Sequence, residues 1–241
     1  FLGIFPRRTA LRELHHRPRL ISRAIIGALI ALVLGAGTLL VTVAWVSRSL
    51  PNPANIVSRR VSESTRIYDR TGETLLYEIY NGEKRTYKKL EQIPASVRNA
   101  TIVIEDQDFY THSGFSFRGI IRAFFSNILS GSRGQGGSTI TQQFIKRSIL
   151  TSEKTYIRKL KEVILAFEIE RRFSKDQILE MYLNEINYGG TNYGVESAAQ
   201  FYFAKNTETL STAEAAILAA LPQAPSRLSP YGTHRDELLA R

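Results

Sequence analysis

The chain has 241 residues, a formal net charge of +10 and no cysteine. The lack of cysteine excludes a disulfide framework, a thiolate nucleophile and a cysteine-ligated zinc site. The length allows one sizeable core, or a core with small appendages. Because the sequence starts at Phe1 rather than at methionine, we interpret it as a fragment of a longer protein.

The first 46 residues predict a membrane anchor. Residues 1–23 hold six arginines and one glutamate, and residues 24–46 carry no charge. As a helix this apolar run would be about 35 Å long, enough to cross a bilayer. The positive-inside rule then predicts a cytoplasmic basic tail and places the rest of the chain outside. The alternatives are a buried core helix and a cleaved signal peptide, whose apolar core is shorter than this one.

Residues 47–92 are predicted to form a linker and a juxtamembrane β-hairpin. Two β-rich runs, Thr65–Tyr68 and Leu75–Tyr80, flank the turn signal Asp69-Arg70-Thr71-Gly72. The strands of the chain are expected to belong to this section alone. A later stretch rich in glycine, asparagine and tyrosine, residues 184–194, is expected to be a loop.

The main domain, residues 93–231, has helical patterns and is predicted to be mainly α. Apolar spacing over residues 95–105 predicts a helix with Glu105 at its C-terminal end. A serine followed three residues later by glutamine or glutamate predicts two further helix starts, at Ser174 and Ser211. Residues 232–241 are expected to begin a linker to a further domain.

The first candidate site consists of Glu105, Asp106, Phe109 and His112. A carboxylate at the C-terminal end of a helix lies at the unfavourable pole of the helix dipole. With apolar neighbours, such a carboxylate suits a general acid or base. The alternative is that Glu105 only caps the helix or forms a surface ion pair.

The second candidate site is a glycine-rich turn followed by a helix. Two glycines expose backbone N–H groups, a serine or threonine caps the helix, and amide and lysine side chains follow, which suits phosphate binding. The residues are Gly137, Ser138, Thr139, Gln142, Gln143 and Lys146. The Gly-Lys-Ser/Thr signature of a Walker A loop is missing. The alternative is a flexible loop before a capped helix.

Two further segments are ambiguous when read alone. Helical spacing places Arg158 and Glu162 on one face, which is also typical of an ordinary surface ion pair. The amphipathic segment 115–130 suits either core packing or a helix lying in the membrane interface. Its lipid-contacting candidates would be Phe117, Ile121, Phe124, Phe125 and Ile128.

Taken together, these pieces resemble one family. Four motifs follow one another: Glu105-Asp106-x-x-Phe109-x-x-His112-x-Gly114; Gly136-Gly137-Ser138-Thr139-Ile140-Thr141-Gln142-Gln143-x-x-Lys146; Arg158-Lys159-x-x-Glu162; and Ser174-Lys175-x-x-Ile178-Leu179-Glu180-x-Tyr182-Leu183-Asn184. In this order they resemble the peptidoglycan glycosyltransferase domain, glycosyltransferase family 51. The hairpin Tyr68–Gly72 is similar to that of the bifunctional class A penicillin-binding proteins. The family usually has Lys-Asn where this chain has Lys146-Arg147.

The resemblance implies a lysozyme-like, mainly α fold that polymerises lipid II into glycan strands at the outer face of the bacterial inner membrane. It implies Glu105 as the base and Glu162 as the second catalytic glutamate, near the pyrophosphate or a divalent cation. The other site residues would bind substrate: Asp106, Phe109, His112, Gly137, Ser138, Thr139, Gln142, Gln143, Lys146 and Arg158.

Two other functions compete with this interpretation. A membrane-anchored lysozyme-like hydrolase or lytic transglycosylase also needs a glutamate in a sugar cleft, but it has no use for cations beside a phosphate-binding turn. A non-catalytic scaffold for division or elongation proteins would not need both glutamates. We expect lipid II, nascent strands and the membrane as partners, and no nucleic acid. No cofactor is required by the sequence, and Mg²⁺ is the one metal that the resemblance suggests.

Overall fold

A computed structural model describes residues 17–48, 50, 64–80, 82–116, 119, 137–150 and 155–241. The chain divides into two compact units, residues 1–49 and 50–241. The first unit is described through one long helix, α1 (Arg17–Arg48). Residues 22–48 of this helix are long and apolar enough to cross a membrane. The hydroxyls of Thr38 and Thr42 donate to backbone carbonyls four residues earlier, which satisfies them within the helix.

The predicted hairpin is confirmed. Strands β1 (Thr65–Tyr68) and β2 (Leu75–Ile79) pair antiparallel. The turn between them is held by Asp69, whose carboxylate accepts hydrogen bonds from the backbone N–H groups of residues 71, 73 and 74. The guanidinium of Arg66 on β1 pairs with Glu78 on β2 at 3.2 Å, and it also donates to the side chain of Gln200 in the main domain at 2.9 Å. Arg66 therefore fastens the hairpin to the main domain.

A second small sheet corrects the expectation that strands are confined to the hairpin. It contains β3 (Lys84–Arg85), β4 (Asn187–Gly189) and β5 (Asn192–Tyr193), in the order β3-β5-β4. Strand β3 is parallel to β5, and β4 is antiparallel to it. The stretch at 184–194 was expected to be a loop because its glycines and asparagines are turn residues. These residues do form a turn, but the turn is tight, and the residues on its two sides pair with each other as β4 and β5.

Most of the rest of the described domain is helical, so the mainly α prediction is confirmed. Its helices are α2 (Ala95–Glu105), α3 (Ile140–Ser148), α4 (Tyr156–Arg172), α5 (Lys175–Glu185), α6 (Val195–Phe203), α7 (Thr212–Ala220) and α8 (Arg235–Ala240). Short 3-10 turns occur at Leu90–Gln92, Thr207–Thr209 and Leu221–Gln223. Helix α2 packs on α7, and α3 packs on α4 and α5.

Each predicted helix start has the expected cap. Ser174 and Ser211 form capping boxes with Gln177 and Glu214, as predicted. Helix α2 ends at Glu105, also as predicted. The buried core includes Phe109, Ile140, Ile145, Leu165, Ile169, Ile178, Leu179, Leu183 and Leu218. The core contacts, together with the hydrogen bond from the Ile140 N–H to Asp106, hold the end of α2 beside the start of α3, which is where the candidate site lies.

The structure also differs from the sequence interpretation at residues 232–241. Where a linker was expected to begin, helix α8 packs Leu238 into the core at 6 % exposure. Helix α8 therefore packs against the core of the domain. Of the apolar residues at 238–240 only Leu238 is buried, and one buried position gives no helical period to detect.

Gly114 allows the chain to pass close to α4. Its φ is +88°, and a Cβ at this position would lie 2.9 Å from the carbonyl carbon of Ala166. A side chain here would therefore overlap with the backbone of α4, which cannot move aside as a flexible side chain could. This close approach places the carbonyl of Gly114 beside the start of α3, where two side chains of the site use it.

We expect Gly114→Ala to lower the free energy of unfolding by about 3 kcal/mol, from left-handed strain plus overlap with the α4 backbone. Gly190→Ala is the matched control, because Gly190 also has a positive φ, +56°, with nothing within 4 Å of the added Cβ. It should cost only about 1 kcal/mol. Urea unfolding of both variants in detergent measures the difference, and equal costs would show that the contact with α4 is not close.

Candidate active site

Glu105 lies where α2 ends and is held from two sides. Gln143 donates from Nε2 to one carboxylate oxygen at 2.6 Å, and Arg241 donates from Nη2 to the other at 2.7 Å. The side chain is only 6 % exposed. The position of Glu105 at the end of a helix is as predicted. The expectation that its neighbours would be apolar is wrong. The carboxylate is instead oriented by one amide and one guanidinium.

Asp106 joins the end of α2 to the beginning of α3. Its carboxylate accepts the backbone N–H of Ile140 at 3.0 Å and lies 2.9 Å from Nε2 of His112. The ring of Phe109 is fully buried between the Asp106 turn and α5, with the ammonium of Lys175 4.6 Å from its centre. Asp106, Phe109 and His112 therefore position Glu105 and α3. We had expected these three residues to bind substrate. Their side chains are buried, so the structure favours a positioning role over direct contact with a substrate.

The start of α3 is built from the second motif. The Thr139 hydroxyl caps the helix by accepting the N–H of Gln142 at 3.2 Å, and it donates to the carbonyl of Gly114 at 2.9 Å. Gln142 donates to the same carbonyl at 3.3 Å. One turn of helix thus carries Gln143 towards Glu105, while Ser138 and Gln142 lie towards α4.

Helix α4 presents the third motif to this turn. Glu162 is buried, and its two oxygens face two cations: Arg158 Nη1 at 2.5 Å and Lys159 Nζ at 3.0 Å. The same Lys159 ammonium donates to Ser138 Oγ at 2.9 Å and to Gln142 Oε1 at 3.1 Å. The pair Arg158–Glu162 was predicted from spacing. The structure adds that it is a buried pair facing the glycine-rich turn, not a surface pair.

Lys146 is one of two exposed cations of α3, and no hydrogen bond or ion pair is made to it by the described residues. Partial burial lowers its pKa, as do the nearby charges of Arg147, Arg158 and Lys159, against the opposing effect of Glu162. Arg147 points elsewhere, donating to the carbonyl of Pro222 at 3.2 Å. The two neighbouring basic residues therefore differ: Lys146 belongs to the cation cluster, and Arg147 braces the chain after α7.

Two fully buried tyrosines line the interior beside Glu105. Burial and the charge of Glu105 raise the pKa values of both Tyr182 and Tyr188 well above the ordinary value. Both phenols therefore stay neutral at all physiological pH values. The hydroxyl of Tyr182 also donates to Oε1 of Gln143 at 3.4 Å. This bond fixes which way the Gln143 amide faces, so that its NH₂ points to Glu105.

The structure thus brings residues of all four sequence motifs into one site. Gln143 links the second motif to Glu105, and Lys159 links it to Glu162. The predicted lipid-contacting residues Phe117, Ile121, Phe124, Phe125 and Ile128 lie outside the described residues, so their placement stays a prediction.

Sequence reasoning missed three contributors. Lys159 stands inside the quoted Arg-Lys-x-x-Glu motif and could have been found there. Tyr182 stands inside the fourth motif, to which we assigned no site residue. Arg241 gave no signal, because it lies beyond the predicted end of the domain and meets Glu105 only through the fold.

The described residues contain no cluster of three or more histidine, aspartate or glutamate side chains that could hold a metal ion. Both oxygens of Glu162 already face cations, and hard divalent cations such as Mg²⁺ need free carboxylate or carbonyl oxygens. This arrangement of Glu162 does not fit Mg²⁺.

Comparison with known proteins agrees with this arrangement. The family model described as transglycosylase matches residues 72–241, including α8. Three curated relatives are each named Penicillin-binding protein 1A. The protein from Rickettsia bellii is 44% identical over 82% of this chain and 25% of its own length. That from Aquifex aeolicus is 43% identical over 90% of this chain and 29% of its own. That from Neisseria gonorrhoeae is 42% identical over 82% of this chain and 25% of its own.

The chain spans about a quarter of the length of these relatives. The matched region contains the four ordered motifs and both glutamates of the site. The resemblance to the glycosyltransferase domain of class A penicillin-binding proteins is confirmed, and the chain belongs to the transglycosylase family.

Proposed function

We propose that this domain polymerises lipid II into peptidoglycan strands, with Glu105 as the general base. One observation carries the proposal: the turn at the start of α3 contacts Glu105 on one side and the Arg158–Lys159–Glu162 cluster on the other. The start of α3 thus holds a proton acceptor on α2 and an anion-binding surface on α4 close to one another. A sugar transfer with a pyrophosphate leaving group needs both of these.

In this reaction Glu105 takes the proton from the 4-hydroxyl of the acceptor GlcNAc. The electron pair left on that hydroxyl oxygen attacks C1 of the MurNAc at the growing end, and the bond from C1 to the pyrophosphate oxygen breaks. Undecaprenyl pyrophosphate leaves with that electron pair, and attack from the opposite face inverts the configuration. Gln143 and Arg241 orient the carboxylate for this step, because they hold its two oxygens in a fixed plane.

The leaving group carries negative charge, and donors placed in advance stabilise it without reorganisation. Lys146 and Arg158 are the cations for this role, and Ser138 and Gln142 lie on the same surface. The lowered pKa of Lys146 supports the assignment, since an anion placed among these cations relieves their mutual repulsion. The positive charge of Lys146 is lost, as pH rises, at a lower pH than that of an ordinary lysine.

The long apolar helix supports a membrane location, because the substrate's lipid stays in the bilayer. We propose that α1 anchors the domain to the bacterial inner membrane, with residues 50–241 on its outer side and the basic residues 1–23 in the cytoplasm. Nascent glycan strands and lipid II are then its partners, and proteins of the division or elongation machinery would regulate it.

Labelled lipid II tests the function and separates it from hydrolysis. We expect the detergent-solubilised chain to convert lipid II into long strands that a muramidase then digests, with release of undecaprenyl pyrophosphate. A hydrolase or lytic transglycosylase would instead shorten preformed strands. Strand cleavage without polymerisation would overturn the proposal.

We expect Lys146→Ala to raise the KM for lipid II about ten-fold or more, because a charge-assisted contact to phosphate is lost. Arg147→Ala is the matched control on the same helix, and its contact is to the carbonyl of Pro222. It should lower thermal stability slightly and change the KM far less. Equal effects on the KM would mean that the motif lysine has been misassigned at this helix.

A further inference from the structure

A buried ion pair joins the end of α4 to the start of α5, and the reaction described above does not use it. Glu170 lies two residues before the end of α4, and Lys175 is the first residue of α5. The ammonium of Lys175 lies 2.5 Å from one carboxylate oxygen of Glu170, and the two side chains are 19 % and 5 % exposed. A buried ion pair adds little net stability, because the loss of hydration offsets the attraction. Its contribution is therefore better judged from the groups that it contacts.

Glu170 contacts the first turn of α3. Its other carboxylate oxygen accepts the hydroxyl of Thr141 at 2.5 Å. Thr141 is fully buried and lies two residues before Gln143, which donates to Glu105. The carboxylate of Glu170 therefore fixes how the first turn of α3 faces α4.

Lys175 contacts the turn that follows α2. Its ammonium lies over the ring of Phe109, 4.6 Å from the ring centre, where the face of the ring attracts a cation. Phe109 is fully buried and lies four residues after Glu105, and its ring meets the ring of His112 edge-on. The nitrogen of the ammonium is closed off from water, so the ring and the carboxylate take the place of its hydration. Lys175 thus holds the ring of Phe109 in a fixed orientation.

We propose that Glu170 and Lys175 are positioning residues for the base, which together set the separation between the end of α2 and the start of α3. The inference rests on the function proposed above and adds two residues that act on that site without touching substrate. Glu105 and Gln143 belong to different helices and meet at 2.6 Å. One side of the ion pair holds the helix of Gln143, and the other side holds the turn after Glu105.

A small loosening of this pair would be enough to impair the reaction. A displacement of about 1 Å in a reacting group can lower a rate about a hundred-fold. The cations assigned to the pyrophosphate, Lys146 and Arg158, do not contact the pair and should keep their places. The pair is therefore expected to act on kcat much more than on KM.

A double variant separates positioning from stability. Glu170→Gln keeps an oxygen for Thr141, and Lys175→Met keeps the length of the side chain without its charge. Together they remove the ion pair and leave no buried charge unpaired, so the melting temperature should stay within a few degrees. We expect kcat for lipid II to fall about ten-fold or more and KM to change less than about three-fold.

Two further variants complete this comparison. Lys175→Arg keeps the charge and can lie on an aromatic face, so its kcat should stay within about three-fold of the unaltered chain. Asp176→Asn is the matched control at the next position of α5. Asp176 accepts the hydroxyl of Tyr110 in the same turn at 2.9 Å, but Tyr110 is 54 % exposed. Loss of this exposed bond should leave kcat within about two-fold.

Backbone hydrogen exchange tests the positioning without the reaction. The N–H of Ile140 bonds to the carboxylate of Asp106 at 3.0 Å, so its exchange reports contact between the turn after α2 and the start of α3. In the double variant this N–H should exchange about ten-fold faster, while the amides of α7 keep their rates.

The outcomes distinguish the inference from the function. An unchanged kcat in the folded double variant, or unchanged exchange at Ile140, would overturn the positioning role. A melting temperature that falls in step with kcat, with faster exchange throughout the domain, would show a purely structural pair and would also overturn it. Failure of the unaltered chain to polymerise lipid II would instead overturn the proposed function, and the exchange at Ile140 would still test the pair.

Discussion

Replacing Glu105 by glutamine is expected to abolish strand synthesis, with a fall in rate of about 10²- to 10⁴-fold, the usual contribution of a positioned general base. Glutamine has nearly the same shape and keeps an oxygen for Arg241, but it cannot take a proton at neutral pH. The side chain is 6 % exposed, so water would not replace the missing base readily. The measurement is the initial rate of polymerisation of labelled lipid II.

Two controls belong with this experiment. Glu91→Gln makes the same chemical change at an exposed glutamate of the Leu90–Gln92 turn and should leave the rate unchanged. The melting temperature of Glu105→Gln should fall by several degrees, because Arg241 loses its ion pair and the amide of Gln143 faces a second amide, so the rate is measured at a temperature where circular dichroism shows the variant folded. An active Glu105→Gln protein would remove this residue from the mechanism.

Glu162→Gln is expected to lower kcat by about a hundred-fold, because Arg158 and Lys159 lose the carboxylate that orients them. Stability should also fall, by about 2 kcal/mol. Removing one partner of a buried pair costs more than this, but Lys159 is half exposed and water screens part of the effect. Single-turnover rates and urea unfolding measure the two effects separately.

Glu168→Gln provides the comparison on the same helix. Glu168 pairs with Arg171 at 3.3 Å and with Arg172 at 3.6 Å, and both arginines are well exposed. Exposed pairs contribute little, so we expect a change in stability below about 0.5 kcal/mol and an unchanged kcat. If Glu162→Gln behaves in the same way as Glu168→Gln, the Arg158–Glu162 pair is not part of the reaction.

The helices and their ends could be predicted from sequence because local chemistry fixes them. The capping boxes at Ser174 and Ser211 identify the residue where each of these helices begins. The apolar spacing before Glu105 indicates where α2 ends. The motif residues Gln143 and Lys146 could be assigned to the site on the same basis, since each lies at a known step along one capped helix.

What could not be predicted depends on contacts between distant parts of the chain. Strand β3 has two residues and pairs with β5 more than a hundred residues later, so neither strand shows an alternating pattern. The identity of the carboxylate's neighbours could not be read from apolar spacing, because Gln143 and Arg241 reach Glu105 only after α3 and α8 have packed. Arg158–Glu162 has the same spacing as a surface pair, and only its burial distinguishes the two.

The bond between Glu105 and Arg241 has a consequence for how the domain is made. The two residues are 136 positions apart, and the loop closed by their contact includes all of the helices from α3 to α8. Contacts of such long range form late, since the chain entropy must be lost before they contribute. During synthesis Glu105 leaves the ribosome long before Arg241, so Gln143 is its only partner in this pair of contacts until α8 has docked. A chain interrupted before α8 would thus hold both glutamates and most of the core, yet lack one of the two groups that orient Glu105.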